Sequence, residues 1–314
     1  MSTPSLIPTP TPALTGVLPV LQMPFHTDES VDHDALRNEA AWCLKLGVRG
    51  LVIGMVSEVV RLSDAERTMI IEALAPIAQD AGAPLVASVG AESTRTARGR
   101  ARAAARAGAT ALMATPPMIL ASDEAALRDY FLAVAAESDL PLIVQDASGY
   151  VGRPMSIEFQ VEILDALGDR VWFKPEAPPF GQRVSRLRDA SGGRARVLEG
   201  SGGISLVDSY RRGIVGTMPA ADVCWAVQAL WNALESGDDA AAARIHGPLS
   251  ALISLQTSLD AFVAVEKHLL RRQGVLPTTV MRQPVGYVLD AETAREAERL
   301  ADLLEAACQE ESVL

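Results

Sequence analysis

From Gly16 onward, the chain repeats one unit: a short apolar run, a turn, and a longer segment whose apolar residues recur at helical spacing. Short apolar runs bounded by turns are typical of buried strands, and amphipathic segments are typical of helices. The predicted strands cover residues 17–23, 50–53, 84–88, 111–114, 141–145, 171–174, 196–200 and 214–218. The predicted helices between them cover residues 34–46, 64–81, 94–107, 123–137, 156–167, 181–190 and 204–212.

Local signals mark the limits of several of these helices. Residues 63–66 (Ser-Asp-Ala-Glu) have the pattern of a capping box at a helix start. Gly47, Gly82, Gly108 and Gly213 stand where helices should end before the next strand, as C-terminal caps do.

Eight strand–helix units with strands ~25–35 residues apart predict a closed (β/α)8 TIM barrel. An open doubly wound sheet is the alternative, but no Gly-x-Gly-x-x-Gly follows the first run. We predict a mobile tail over residues 1–15, the barrel over 16–236, and a C-terminal helical extension packed on the barrel over 237–314. The extension contains helical patterns at 238–273 and 291–309.

Composition narrows the class of protein. The 314 residues are 49% hydrophobic and carry a net charge of −11, which argues against nucleic acid or anionic membrane as a partner. We recognise neither a signal peptide nor an apolar span of membrane length, and the three cysteines are few and scattered. We therefore expect a cytoplasmic protein with reduced thiols. The four histidines have no metal-ligand spacing, so we expect no metal site.

The sixth run, residues 171–176 (Val-Trp-Phe-Lys-Pro-Glu), carries the candidate chemistry. Pro175 restrains Lys174 to extended geometry and should end the strand there. An amine at the edge of an apolar interior is desolvated, which favours its neutral, nucleophilic form. Only three of the 28 basic residues are lysines, which suggests a specific need for one here. The alternative is a partly buried lysine paired with Glu176, which would favour the charged amine.

Active sites of such barrels lie at the C-terminal ends of the strands. The segments that follow the predicted strands there are 54–58, 115–117, 145–150, 174–176, 200–203 and 217–219. Lys174 should therefore point into a site.

Together these strand ends resemble the dihydrodipicolinate synthase/N-acetylneuraminate lyase family of class I aldolase-type barrels. The resemblance covers roughly residues 16–219. Its marks are the loop 54–58 with the following 62–67 (Leu-Ser-Asp-Ala-Glu-Arg), the two prolines after the fourth strand, and the Lys-x-Glu of Lys174 and Glu176. The resemblance implies that Lys174 forms a Schiff base with a 2-keto acid, with no other cofactor. It also implies that the loop 54–58 holds the substrate carboxylate and that the chain forms a homo-oligomer, a tetramer or a dimer.

Departures from the family pattern matter equally. The two threonines of the carboxylate loop are Met55 and Val56, so binding would fall to backbone N–H groups and the Ser57 hydroxyl. The proton-relaying tyrosine of the fifth strand is Gln145. The family's tyrosine pair after the fourth-strand prolines is Met118-Ile119, and the synthases' substrate-binding arginine falls near Tyr150. The motifs are similar instead to the subgroup that dehydrates 2-keto-3-deoxy-pentonates.

We therefore predict a lyase that dehydrates a 2-keto-3-deoxy sugar acid through a lysine imine. An amide cannot ionise, so Gln145 in place of tyrosine disfavours aldol cleavage. A retro-aldol lyase releasing pyruvate, a condensing synthase, a phosphosugar aldolase and a non-catalytic barrel that binds keto acids remain alternatives. The predicted catalytic residues are Lys174, Gln145 and Glu58. The predicted substrate-binding residues are Gly54, Met55, Val56, Ser57, Tyr150, Glu176, Ser201 and Gly202. For Glu58, bracing of its own loop is the alternative to proton transfer.

Overall fold

The computed structural model of the chain describes residues 13–119, 121–149 and 154–309. Its eight parallel strands are β1 (Gly16–Val17), β2 (Leu51–Ile53), β3 (Leu85–Ser88), β4 (Ala111–Ala114), β5 (Leu142–Gln145), β6 (Val171–Lys174), β7 (Leu198–Glu199) and β8 (Gly216–Thr217). Strands β2 to β6 pair in sequence order, and β1, β8 and β7 form a second set. Parallel bridges from Val20 to Val52 and from Phe173 to Val197 join the two sets. The barrel is therefore closed, and the predicted fold class is confirmed.

Helices surround the barrel and continue beyond it. They are α1 (His33–Lys45), α2 (Asp64–Asp80), α3 (Thr94–Ala107), α4 (Glu124–Ala135), α5 (Ile157–Leu167), α6 (Phe180–Ala190), α7 (Leu206–Arg211), α8 (Cys224–Ser236), α9 (Asp239–Ser254), α10 (Leu259–Arg272) and α11 (Ala291–Gln309). The predicted capping box starts α2, where Glu66 N donates to Ser63 Oγ at 3.3 Å and Ser63 N donates to Glu66 Oε2 at 2.8 Å. None of the described helices is long and apolar enough to cross a membrane.

The helical pattern predicted over 238–273 is two helices, not one. Helix α9 ends at Ser254, and Ser258 starts α10 by accepting a hydrogen bond from Ala261 N at 3.2 Å. A serine side chain that caps a new helix competes with continuation of the preceding one. Residues 255–258 therefore form a short connector, which lies over the mouth of the barrel.

Alternation along the strands separates two apolar cores. Every second side chain of a strand faces the inside of the barrel. The inward-facing residues Val52, Val86, Met113, Ile143 and Trp172 pack together there. The intervening residues face the helices and belong to a larger core around the barrel. Since Ile143 and Trp172 point inward, the residues two positions later on β5 and β6, Gln145 and Lys174, point inward as well.

A buried ion pair attaches the C-terminal extension to the barrel. Lys267 of α10 donates to Glu58 Oε1 at 2.5 Å and to the carbonyl of Val280 at 2.6 Å. Both charged side chains are 0% exposed. The Phe25 ring lies 4.7 Å from Lys267 Nζ, close enough for a cation–π contact. Because Glu58 belongs to the loop after β2, the pair fixes α10 at the C-terminal end of the barrel.

Three further carboxyls are buried beside this pair: Glu39 of α1, Asp222 before α8 and Glu266 of α10. Burial raises the pKa of Glu39 to about 8 and that of Asp222 to about 7. Burial, with Asp222 and Glu39 nearby, also raises the pKa of Glu266. The ammonium group of Lys267, which lies near these carboxyls, is already paired with Glu58. Burial therefore favours the neutral forms of the three carboxyls, and a neutral carboxyl can donate a hydrogen bond.

This cluster predicts that stability falls as the pH rises from 5 to 8. The pKa of Glu39 is about 8 in the folded chain and near the ordinary glutamate value when unfolded. Between those values the folded chain binds a proton that the unfolded chain has lost, so raising the pH removes up to about 1.4 kcal/mol per pH unit for such a group. Denaturant unfolding from pH 5 to 8 should show a shallower decline for Glu39→Gln than for the unchanged chain. The exposed-carboxyl variant Glu72→Gln should keep the original slope. Equal slopes in all three proteins would contradict the assignment.

Candidate active site

A two-part cavity opens at the C-terminal ends of the strands. The inner part is narrow, about 40 Å³, and reaches Lys174, Gln145 and the loop after β2. The outer part is a cleft of about 630 Å³. The two parts share the lining residues Met55, Glu176, Gly200, Gln256 and Phe262, so they form one continuous site. The inner part is wide enough only for the reacting end of a ligand, and the remainder would occupy the outer cleft.

Lys174 and Glu176 form the centre of the inner part. Lys174 Nζ lies 2.5 Å from Glu176 Oε1, and the two side chains are 7% and 5% exposed. Gln145 is the register partner of Lys174 across β5 and β6, and its Nε2 donates to the same Oε1 at 2.9 Å. The structure thus brings together three of the residues predicted from the sequence: Lys174, Glu176 and Gln145.

The structure shows the pairing of Lys174 with Glu176 that the sequence analysis gave as the alternative to an unpaired amine. Burial, with Asp146 as a lesser cause, raises the pKa of Glu176, and Lys174 and Gln145 oppose this rise. Oε2 of Glu176 has no hydrogen-bond partner in the described part of the chain. A buried site disfavours the charged form of the carboxyl group, which is why its pKa rises although an amine lies beside it.

Gly200 permits the close approach of these groups. A Cβ atom on Gly200 would lie 3.0 Å from Lys174 Cε and 3.2 Å from Glu176 Cγ. The glycine cluster after β7 thus makes room for the lysine and glutamate side chains. Gly202, in the left-handed region at φ 71°, lines the inner cavity in the same turn.

The predicted carboxylate loop divides into two parts. Gly54, Met55 and Val56 line the inner cavity. Ser57 does not: its hydroxyl accepts from Gly54 N at 3.0 Å and donates to the carbonyl of Leu21. The Ser57 N–H is also bonded, to the carbonyl of Gly54 at 3.0 Å. The expected role of Ser57 in binding the carboxylate is not supported by this geometry, because its polar groups close the loop.

Glu58 likewise faces away from the cavity. It is 1% exposed and has left-handed backbone geometry at φ 52°. Its carboxylate accepts from Lys267 Nζ at 2.5 Å and from Arg282 N at 3.1 Å. The catalytic role expected for Glu58 therefore finds no support here. The contacts favour the alternative, in which Glu58 braces its loop and binds the extension.

The turn after β7 is held by Glu199, which the sequence did not single out. Glu199 Oε1 accepts from Ser201 N and Oε2 accepts from Thr217 Oγ1, both at 2.6 Å. Ser201 Oγ accepts from Ser205 N at 2.8 Å, and Ser201 lines the outer cleft. Tyr150, also predicted to bind substrate, lies outside the described residues.

The extension contributes residues that sequence analysis missed. Gln256, from the connector between α9 and α10, and Phe262 of α10 line both parts of the cavity, and Glu266 lines the inner part. Gln22 Nε2 donates to the Glu266 carboxyl. Glu176 and Glu266 are the described carboxyl-bearing residues that line the cavity, and burial raises the pKa of both. Glu58 is not among the residues that line either part.

The charge of the walls restricts the ligand. Within the described residues, Lys174 is the basic residue among the lining side chains, and no arginine lines either part. The same residues contain no cluster of three or more His, Cys, Asp or Glu able to hold a metal ion. Phosphate binding normally uses arginine, lysine or several backbone N–H groups. The described walls thus present one cation, Lys174, at the inner end of the cavity, without a cationic phosphate pocket.

The fold and the site together define a lyase of the aldolase-type barrel class. The profile of the dihydrodipicolinate synthetase family matches residues 13–306, and the chain belongs to that family.

Individual relatives agree with this membership. The chain is 31% identical over 293 residues to the 4-hydroxy-tetrahydrodipicolinate synthase of Xanthomonas axonopodis pv. citri, with 89% of this chain and 95% of the relative covered. A 31% identical match to the synthase of Natronomonas pharaonis spans 48% of this chain and 51% of that protein, about half the relative's length.

Solved structures are similar in fold. Dihydrodipicolinate synthase from Rhodopseudomonas palustris has a TM-score of 0.83 at 23% identity, covering 94% of this chain and 99% of its own. A sialic acid aldolase of Ruminococcus gnavus has a TM-score of 0.83 at 19% identity, covering 93% and 97%. At these identities the likeness shows the (β/α)8 fold alone.

The close approach at Gly200 gives a prediction. Gly200→Ala should push Lys174 and Glu176 apart, lower the melting temperature, and slow borohydride trapping of a 2-keto acid by on the order of tenfold to a hundredfold. Gly99→Ala in α3 is a matched control, because no atom lies within 4 Å of its added Cβ. That variant should be more stable by about 0.5–1 kcal/mol and trap normally. Unchanged trapping by Gly200→Ala would show that the space is not needed.

Proposed function

We propose that the chain is a Schiff-base lyase that dehydrates an unphosphorylated 2-keto-3-deoxy sugar acid. One observation carries the proposal: the Lys174 amine lies 2.5 Å from a buried carboxyl group at the inner end of the cavity, and the side chain beside it is an amide, Gln145, instead of a tyrosine phenol. Family membership supports a lyase with a small 2-keto acid as substrate. The dehydration and the sugar acid are inferred from the side chains of this site.

The first step is formation of the imine. Glu176 takes a proton from the Lys174 ammonium, and the free amine adds to the C2 carbonyl of the substrate. Loss of the former carbonyl oxygen as water leaves a protonated imine at C2. This imine attracts electrons and makes the C3 protons acidic. The backbone near Val56, which lines the inner cavity, is where the substrate carboxylate would lie.

The second step is elimination. Removal of a C3 proton gives an enamine, whose electrons expel the C4 hydroxyl as water once that group has received a proton. The carboxyls of Glu176 and Glu266 are the described groups able to move these protons, because both line the inner cavity. Hydrolysis of the unsaturated imine then releases the product and restores Lys174. The net change is loss of one water molecule.

Gln145 separates this path from aldol cleavage. Cleavage of C3–C4 requires a base that takes the proton of the C4 hydroxyl. Gln145 cannot be that base, so cleavage would have to use one of the two carboxyls instead. Gln145 Oε1 is buried without a hydrogen-bond partner among the described residues, so it can accept a hydrogen bond from a substrate hydroxyl. We infer that Gln145 orients the substrate.

Aldol-type chemistry is the second candidate function. The two relatives described above are 4-hydroxy-tetrahydrodipicolinate synthases, and the structural neighbours include a sialic acid aldolase. The assembly as a tetramer or dimer and the cytoplasmic location stay predictions.

Incubation with a panel of 2-keto-3-deoxy acids, analysed by mass spectrometry, distinguishes dehydration, aldol cleavage and binding without catalysis. Water loss supports dehydration, pyruvate release supports cleavage, and binding without any product supports a non-catalytic barrel.

Covalent trapping tests the first step. Borohydride reduction with a 2-keto acid should attach the acid to the peptide that contains Lys174, because the imine is reduced to a stable amine. Lys174→Ala should abolish labelling and turnover. Lys45→Ala changes a lysine of α1 that lies outside the cavity, and it should label as the unchanged chain does. Labelling that persists in Lys174→Ala would remove the covalent mechanism.

The role of Glu176 has a separate test. Glu176→Gln keeps a hydrogen-bonding side chain near Lys174 but removes the proton acceptor. Imine formation near neutral pH should slow by on the order of a hundredfold or more. The rate should recover as the pH rises, because hydroxide then deprotonates the amine. A wild-type rate and pH profile would show that another group accepts the proton.

A further inference from the structure

Gln256 lies where the two parts of the cavity meet. It belongs to the connector between α9 and α10, is 5% exposed, and lines both the inner cavity and the outer cleft. Glu176, Gly200, Met55 and Phe262 line the same junction. A ligand attached to Lys174 that extends outward must therefore pass this side chain.

Both polar atoms of the Gln256 side chain lack a partner. Neither Oε1 nor Nε2 forms a hydrogen bond to any described residue, although both are buried. A buried polar group without a partner costs about 1–3 kcal/mol, and most such groups in folded proteins are satisfied. A ligand that forms hydrogen bonds with this unpaired amide would remove that cost, so binding there is favourable.

The local backbone explains how Gln256 reaches this position. Helix α9 ends at Ser254, and Ser258 caps α10 through its hydroxyl. Gln256 N donates to the carbonyl of Ile253 at 3.0 Å, which anchors the connector on α9. The break in the helical pattern therefore holds Gln256 over the cavity.

We propose that Gln256 binds a hydroxyl group on the distal part of the substrate, beyond C4, and so determines specificity. This inference rests on the proposed function, because it places the reacting end of the substrate on Lys174. A carboxamide donates and accepts, and a hydroxyl does the same, so the two are complementary. A distal phosphate or carboxylate would use only the donor and would lack a cation in the described walls. The described walls therefore fit a 2-keto acid with an uncharged, hydroxylated tail best.

Gln256→Leu tests the assignment, because leucine has a similar size and no polar atom. For a hydroxylated 2-keto-3-deoxy acid, kcat/KM should fall about tenfold or more. The rate of borohydride trapping of pyruvate, which has no distal hydroxyl, should stay within about twofold. The melting temperature should not fall, since the substitution removes two unpartnered polar groups.

Gln160→Leu is the matched control. Gln160 of α5 is also buried, but its Nε2 donates to the carbonyls of Met155 and Ser156 at 3.4 Å and 3.2 Å, away from the cavity. This variant should lose stability and leave the ratio of the two rates unchanged.

The outcomes separate the inference from the proposed function. The inference is overturned if Gln256→Leu leaves the ratio of kcat/KM for the hydroxylated acid to the rate of pyruvate trapping unchanged, or lowers both equally. Gln256 then does not bind the distal hydroxyl. If the unchanged chain traps neither pyruvate nor any hydroxylated 2-keto acid, the proposed function fails and the inference fails with it. Trapping with a selective loss in Gln256→Leu supports both, whichever product the reaction gives.

Discussion

The pairing of β5 with β6 is the constraint on which the site depends. Their register sets Gln145 opposite Lys174, and the alternation that sends Ile143 and Trp172 into the barrel sends these two residues inward. A shift of one residue in either strand would turn its polar side chain toward the helices. The apolar barrel core below them then excludes water from the amine. The packing of the barrel and the chemistry at its mouth therefore follow from one hydrogen-bonded register.

The C-terminal extension completes what the barrel begins. Lys267 and Glu58 are both fully buried, and removal of one partner from such a pair typically costs about 3–5 kcal/mol. This pair connects α10 to the loop after β2, whose preceding residues line the inner cavity. The extension also brings Gln256, Phe262 and Glu266 to the cavity wall. An interaction that serves stability thus also sets the position of the residues that close the site.

Sequence patterns could predict those parts of the structure that depend on neighbours along the chain. The strand–helix repeat, the capping box at Ser63 and the end of β6 at Lys174 are local, and the structure has all three. The Glu58–Lys267 pair joins residues 209 positions apart, so nothing near Glu58 indicated that its carboxylate was already engaged. Gln256 gave no signal either, because it lay within a pattern that continued as a helix. The direction of the Glu58 side chain could not be predicted from the sequence, because a distant partner decides it.

The burial of Lys174 and Glu176 bears on the reaction. A lysine close to a carboxylate in water would stay charged and would be a poor nucleophile. Here Lys174 lies 2.5 Å from Glu176, and burial raises the pKa of that carboxyl group. Gln145 donates to the oxygen that Lys174 contacts, and it supplies no proton acceptor of its own for a hydroxyl at C4. The described residues place one amine, Lys174, and two carboxyls, Glu176 and Glu266, at the inner cavity, and the proposed dehydration rests on these groups.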